Sequence, residues 1–275
     1  MNRIILLCLL LFYCLTSNAQ DDKGRTLFFG VTAGTKIANK NYAWRYSGFY
    51  SHFGTDRTQL EYTLLDNPTN YTTIRDMLGG FDFTVPYDAY SLNIRYTPGL
   101  LTGVTLGYQL SPNLQMNVEG NFNKLKVQDI FTIQVYDGSS GTDQEQYRQG
   151  QIYAEESRFN GRFNFDYVAD GNKARFMIGG SLLYSFWRMD EHVAIFDNYT
   201  MPLFSQFSNV PPGENNVVRG TGWGIGANLG VEYRINEKIV SQIMYQPYHS
   251  FLDYGISINQ RILLQHDIIV RFLWK

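Results

Sequence analysis

Polar and apolar positions alternate strictly between Val217 and Ile235. One face carries Trp223, Ile225, Ala227, Leu229, Val231 and Tyr233; the other carries Gly220, Gly222, Gly224, Gly226, Asn228, Gly230, Glu232 and Arg234. A period of two with one wholly apolar face predicts a β-strand. The apolar face has an aromatic at each end and aliphatics between. Ten steps at about 3.4 Å and a tilt near 40° rise roughly 26 Å, the height of a lipid-facing band between two aromatic girdles. Phe159, Gly161, Phe163, Phe165 and Tyr167 repeat the pattern against Arg158, Asn160, Arg162, Asn164 and Asp166. A soluble sandwich also alternates. Here, however, the polar face mixes charges of both signs with glycine, which suits the packed interior of a barrel whose apolar side meets lipid.

Tight turns at Ser111-Pro112-Asn113, Ala169-Asp170-Gly171-Asn172 and Asn236-Glu237 each join two long alternating runs. Longer polar stretches, rich in Tyr and Asn, separate these hairpins at roughly 37–95, 137–150, 190–216 and 252–260. Short turns at one end and long loops at the other predict eight strands near 26–36, 96–110, 114–127, 151–168, 173–189, 217–235, 238–251 and 261–274. The expected fold is therefore all-β, a transmembrane antiparallel up-and-down barrel with long extracellular loops. Within 37–95, Leu60, Tyr62 and Leu64 alternate, as do Tyr90, Leu92, Ile94 and Tyr96. These are strands rising above the membrane or an extra hairpin making ten; without a tight turn between them, eight is preferred.

The first residues place this barrel outside the inner membrane. Arg3, the apolar run Ile4 to Leu15, and small residues Ser17 and Ala19 form an export signal over 1–19, leaving 20–275 as the barrel. The apolar run is about twelve residues, short of the roughly twenty a helical span needs. Tyr13 before Cys14 disfavours a lipoprotein anchor. Both cysteines lie inside the signal, so the mature chain holds neither a disulfide nor a thiolate metal site. Without Arg3, 22 basic residues face 25 acidic ones, a balance that gives no reason to expect nucleic acid. Four scattered histidines suggest no metal, and no cofactor is expected. The 20 Tyr and 19 Phe are what interface girdles consume.

The sequence resembles the PorT-like outer-membrane barrels of Bacteroidetes. The resemblance rests on Phe29-Gly30-Val31-Thr32-Ala33-Gly34, on Pro98-Gly99-Leu100 running into Gly103-Val104-Thr105-Leu106-Gly107, on the Ser-Pro-Asn turn leading into Leu114 to Asn121, and on the Gly220–Gly230 strand before the final hairpin. It implies an eight-stranded barrel in the outer membrane and an accessory or assembly role such as type IX secretion.

Candidate chemistry falls into three groups. The uniform spacing of Gly220, Gly222, Gly224 and Gly226 inside a strand lacks the turn into a helix that a dinucleotide fingerprint needs, so these glycines make room for bulky neighbours in the lumen. Glu119, Arg158, Arg162, Asp166, Arg175, Glu232, Arg234, Asp267 and Arg271 face inward and form a structural polar network; a selective pore or proton relay is the functional alternative. His249, Ser250 and Asp253, with His52 and His192, are the residues a rim-sited lipid or peptide hydrolase would use, although neighbours in sequence do not make a triad. The loop aromatics Tyr42, Trp44, Tyr46, Tyr50, Tyr62, Tyr199 and Phe204 are the candidate binding surface, shared with the outer girdle. The expected function is a non-enzymatic subunit or accessory of a larger outer-membrane complex for secretion, assembly or uptake. Its expected partners are outer-membrane lipid, lipopolysaccharide and other outer-membrane proteins or lipoproteins. A stand-alone stabilising or narrow-pore barrel is the alternative.

Overall fold

The computed structural model describes residues 26–49, 57–86, 93–136, 146–203, 218–252 and 264–275. The expected signal peptide lies outside them, as do Tyr50, His52, Phe204 and Asp253. Eleven strands run through the described residues: β1 (Thr26–Ile37), β2 (Asp82–Thr84), β3 (Tyr96–Thr97), β4 (Gly99–Ser111), β5 (Leu114–Tyr136), β6 (Gln146–Val168), β7 (Ala174–Phe196), β8 (Tyr199–Pro202), β9 (Arg219–Arg234), β10 (Ile239–Leu252) and β11 (Leu264–Trp274). Eight of them close a ring in the order β1, β4, β5, β6, β7, β9, β10, β11, with β1 paired back onto β11. Every pairing is antiparallel. The three short turns and both ends of the ring lie at one rim, where Phe29 stacks on Trp274 at 5.4 Å.

The strands alternate as expected, with Phe159, Phe163, Phe165, Phe176, Ile178, Leu182, Trp223, Ile225, Ile243 and Phe272 exposed on the outside. The opposite positions, among them Asn117, Glu119, Asn121, Arg162, Asn164, Asp166, Asn228, Asp267 and Arg271, are buried inside. A water-soluble sheet would reverse this arrangement. The wall is a membrane-spanning surface.

β5, β6 and β7 are longer than the membrane requires, at 23 residues each. Their polarity inverts part-way up. On β5 the outward residues are apolar through Phe122 and then read Lys124, Lys126 and Gln128; the inward ones are polar through Asn123 and then include Leu125, Val127, Phe131, Ile133 and Val135. On β6, Phe159 gives way to Ser157 and Glu155 outside, while Glu156 gives way to Ala154 and Ile152 inside. The same strands therefore pass from a lipid-bathed barrel into a water-bathed one without a break. The inversion marks the outer edge of the bilayer.

The described residues 38–49 and 57–86 fold onto this extension instead of adding strands to the ring. Leu60, Tyr62 and Leu64, expected to lie in an extended segment, are helical. Thr58 caps α2 (Gln59–Glu61, following α1 at Lys40–Ala43), and Glu61 reaches back 2.8 Å to the Thr58 backbone N–H. This reciprocal cap satisfies two N–H groups that an extended chain would leave open. A wide helical turn continues over Tyr62–Asp66, and Asn67-Pro68 then starts α3 (Pro68–Met77) with an Asn cap and Pro in the first turn. Gly79 and Gly80, at φ 77° and 89°, end it. Leu60, Leu64 and Ile74 pack with Phe83, Phe131, Ile133, Ile152 and Phe196 into a core of their own above the membrane.

Candidate functional site: a sealed lumen under a folded cap

The barrel interior is layered. Nearest the short turns, Arg175 pairs with Glu232, to which Gln242 donates at 2.9 Å. In the next layer Arg271 pairs with Glu119 and donates to Gln242 at 3.0 Å, while Asn121 donates to Glu119 at 2.6 Å. Beside it, Asn228 donates to Asp166 at 2.7 Å and Asn164 to Asn117 at 2.7 Å. Higher still, Arg162 meets Asp267 at 2.6 Å, and Lys36 lies 3.5 Å from the same carboxylate and 4.9 Å over the Tyr248 ring. At the top Arg158 pairs with Glu156 and donates to Gln265 at 2.7 Å. Asp166 is held by the Asn228 and Asn117 amides, and the other charges are held against opposite ones, because an uncompensated ion in this dry interior would cost several kcal/mol.

Eight of the nine charges expected in the lumen are buried there. Arg234 is not. It is the last residue of β9 and exposed, because it projects past the rim beyond Tyr233, where water solvates it. Lys36, Glu156 and the inward amides Asn117, Asn164, Gln242 and Gln265 complete the network without having been singled out. Strand parity alone marks most of them. Glu156 is among them, on the same face of β6 as Arg158 and Arg162.

Glycine opens the space these side chains fill. A Cβ on Gly226 would lie 2.7 Å from Tyr248 Cβ and 2.8 Å from Ser181 Oγ. The bare backbone of β9 lets the Tyr248 ring lie across the lumen.

The extracellular end is closed by residues 38–49. Tyr42 and Tyr46, expected on a binding surface, are fully buried. Their rings point down into the barrel because each phenol finds a partner there. Tyr42 Oη donates to the Ser250 carbonyl at 2.5 Å, and Tyr46 Oη donates to Glu156 at 2.6 Å beside Tyr96 at 2.8 Å. The Arg45 guanidinium lies 4.2 Å over the Trp187 ring. Leu125, Val127, Ala154 and Ile94 surround this stopper. Trp44, Tyr62 and Tyr199 are half-buried, and Tyr199 donates to Asn70 at 2.8 Å. The loop aromatics therefore build the cap more than they line its surface.

His192 lies in β7 above the membrane, with Nε2 3.2 Å from the Tyr46 carbonyl and its ring edge-on to Tyr46 at 5.3 Å. Burial lowers its pKa to about 4; the Tyr46 carbonyl opposes the shift and nearby Arg45 adds to it. The imidazole is neutral at neutral pH and donates to the stopper. His249 and Ser250 do not meet. Adjacent on a strand, they point to opposite faces: His249 outward against Phe251 at 4.3 Å, Ser250 inward.

No family model matches the chain, and no curated protein matches it. Among solved structures it is similar to Neisserial surface protein A, at 9% identity over 92% of this chain and 99% of that one, with a TM-score of 0.44. The outer membrane protein OprG from Pseudomonas aeruginosa matches at 11% identity over 91% and 94%, with a TM-score of 0.36. The translocator domain of autotransporter NalP from Neisseria meningitidis matches at 8% identity over 96% and 92%, with a TM-score of 0.25. At these scores the likenesses add nothing to what the strand ring and its inverted polarity already display.

Proposed function

We propose that this chain is an integral outer-membrane barrel of the PorT-like kind, acting without catalysis as an accessory or subunit of a larger outer-membrane complex in secretion, assembly or uptake. The observation that carries the reading is the pairing of a plugged barrel with a cap that has its own hydrophobic core. A lumen crossed by Arg271–Glu119 and Arg162–Asp267 leaves no wide path for solute. What the molecule offers its surroundings is the cap and the outer wall. The export signal expected over 1–19 and the lipid-facing band both suit an outer-membrane address, and the PorT-like sequence features suit an accessory role. Its partners in this reading are lipopolysaccharide, outer-membrane lipid, and other outer-membrane proteins or lipoproteins that grip the cap or the wall.

Affinity purification from native outer membranes in mild detergent, followed by mass spectrometry, tests it. Stoichiometric recovery of secretion, assembly or uptake components is expected. Recovery of the barrel alone, repeated after chemical cross-linking, would sink the reading.

A further inference from the structure

Where the wall polarity inverts, the strand register places side chains in rows. Phe122, Phe159, Phe186 and Thr221 are successive partners across β5, β6, β7 and β9 and form the last row facing lipid. Two residues further out, the next row reads Lys124, Ser157, Arg188 and Arg219. Three of its four positions are cationic. The acidic groups Glu155, Asp190 and Glu191 stand beyond this row, further from the bilayer. Moving outward, the wall therefore reads aromatic, then positive, then mixed, since Lys126 stands opposite Glu155 in the outer row.

Arg188 and Arg219 are direct cross-strand partners, and like charges about 5 Å apart across a sheet repel. Arg188 Nε also meets Asp190 at 2.7 Å, whereas Arg219 makes no ion pair among the described residues. Lys124 pairs with Glu155 yet remains about half exposed. Between the two rows lies a groove of about 660 Å³, lined by Phe122, Ser157, Phe159, Phe186, Arg188 and Arg219. A second groove of about 570 Å³ continues it past Lys124, Met189 and Asp190, the carboxylate to which Ser157 Oγ donates. An apolar floor beneath a repelling pair of arginines is the shape of a site for an amphiphile whose headgroup is anionic.

We propose that this face binds the phosphorylated glycolipid of the outer leaflet, a bis-phosphorylated lipid A, with Arg188 and Arg219 clamping one phosphate, Lys124 and Ser157 meeting the other, and acyl chains lying along Phe122, Phe159 and Phe186. The proposal rests on the outer-membrane reading above. The position selects the leaflet: the row lies on the cap side of the barrel, opposite the short turns and the termini. The spread selects the lipid. From Lys124 to Arg219 the row crosses three strand spacings, about 14 Å, which suits a headgroup carrying phosphates at two ends better than a single phosphodiester. Guanidinium pairs fit phosphate oxygens bidentately.

The test uses the full mature chain, folded in detergent micelles, with bis-phosphorylated lipid A, enzymatically dephosphorylated lipid A and phosphatidylglycerol as probes in native mass spectrometry. Folding is read from heat-modifiable gel mobility. Wild type is expected to retain bis-phosphorylated lipid A and to bind both other probes at least about tenfold more weakly. The triple variant Lys124→Gln/Arg188→Gln/Arg219→Gln is expected to lose at least about tenfold in that retention. A control set at the opposite rim, Lys173→Gln/Arg234→Gln/Lys238→Gln, leaves it unchanged. Equal retention by wild type and the triple variant overturns the site. Equal binding of dephosphorylated lipid A overturns the phosphate contacts, and equal binding of phosphatidylglycerol overturns the choice of lipid. Should the triple variant not fold, the wild-type preference among the three probes decides by itself. Failure of the outer-membrane reading would look different: a chain that stays folded and monodisperse with no detergent present.

Discussion

At the scale of single residues, the lumen is a set of buried charges that cannot be treated one at a time. Arg271 and Glu119 are both completely inaccessible, and Arg271 also holds Gln242. Removing one partner strands the other as an uncompensated ion, so Arg271→Ala is expected to cost about 3–5 kcal/mol. Replacing both, as Glu119→Leu/Arg271→Leu, is expected to recover most of that loss. Urea unfolding in micelles, followed by heat-modifiable gel mobility, checks the pair. If the single and double variants unfold at the same urea concentration, the ion pair is not what holds this layer. Gly226→Val belongs to the same scale. Its side chain would meet Tyr248 and Ser181 at under 3 Å before leaving the backbone, so the folded fraction recovered from refolding should fall sharply. A Gly180→Val variant, where an added Cβ meets nothing nearer than 3.8 Å, should fold as well as wild type; if it is lost along with Gly226→Val, the contact with Tyr248 and Ser181 is not the cause.

At the scale of elements, the stopper formed by residues 38–49 is held in part by a histidine that must stay neutral. The folded pKa of His192, about 4, lies below the value of about 6.5 for an exposed imidazole. Its contribution is therefore complete above pH 6.5 and drains away as the pH falls toward 4. Arg45, Glu156 and Arg158 are the other charged groups packed against the stopper, and Arg45 disfavours a second positive charge beside it. Hydrogen exchange over residues 42–47 should accelerate between pH 6.5 and 4 beyond the intrinsic pH trend, and should do so much less in His192→Gln. An exchange profile identical in both proteins would rule this out.

The same scale shows what could be read from the chain. The lower halves of the strands were legible because lipid enforces one rule, apolar outward, over an uninterrupted period of two. The ring of eight and its turns follow from that rule. The upper halves of β5 and β6 keep the period but reverse its sign, since Phe131, Ile133 and Ile152 face a water-excluded core while Lys124, Lys126 and Gln128 face solvent, and β7 also slips its parity at a bulge by Asp190. A reading keyed to outward aromatics ends these strands at 127, 151 and 189, short of Tyr136, Gln146 and Phe196 where the structure ends them. The loop aromatics misled for a related reason. Tyr42 and Tyr46 look like contact residues by type, and only the inward partners Ser250 and Glu156 show them to be stoppers. The cationic row left no motif at all. Lys124, Ser157, Arg188 and Arg219 are far apart in sequence and become neighbours through register alone.

At the scale of the whole molecule, layered ion pairs below and a packed stopper above cross the lumen among the described residues, and we expect them to block a continuous aqueous route. Planar bilayers containing the reconstituted protein should show no steady unitary current at moderate voltage. Reproducible steps of fixed size would show that the lumen opens, and would bring the narrow-pore alternative back. Tyr46→Ala loosens the stopper but leaves the ion-pair layers intact, so it too should remain silent.

The unbroken run of β6 from bilayer to cap has a mechanical consequence. From Ser157 to Gln146 the strand climbs roughly 25–30 Å at an ordinary tilt, and it is laced to β5 and β7 for much of that distance. Whatever grips the cap is thereby held at a set standoff from the membrane and at a set azimuth to the wall. A turn applied above is delivered as torque to the lipid-facing surface below. In the accessory role we propose, the molecule acts as a mast that fixes the height and heading of whatever grips its cap.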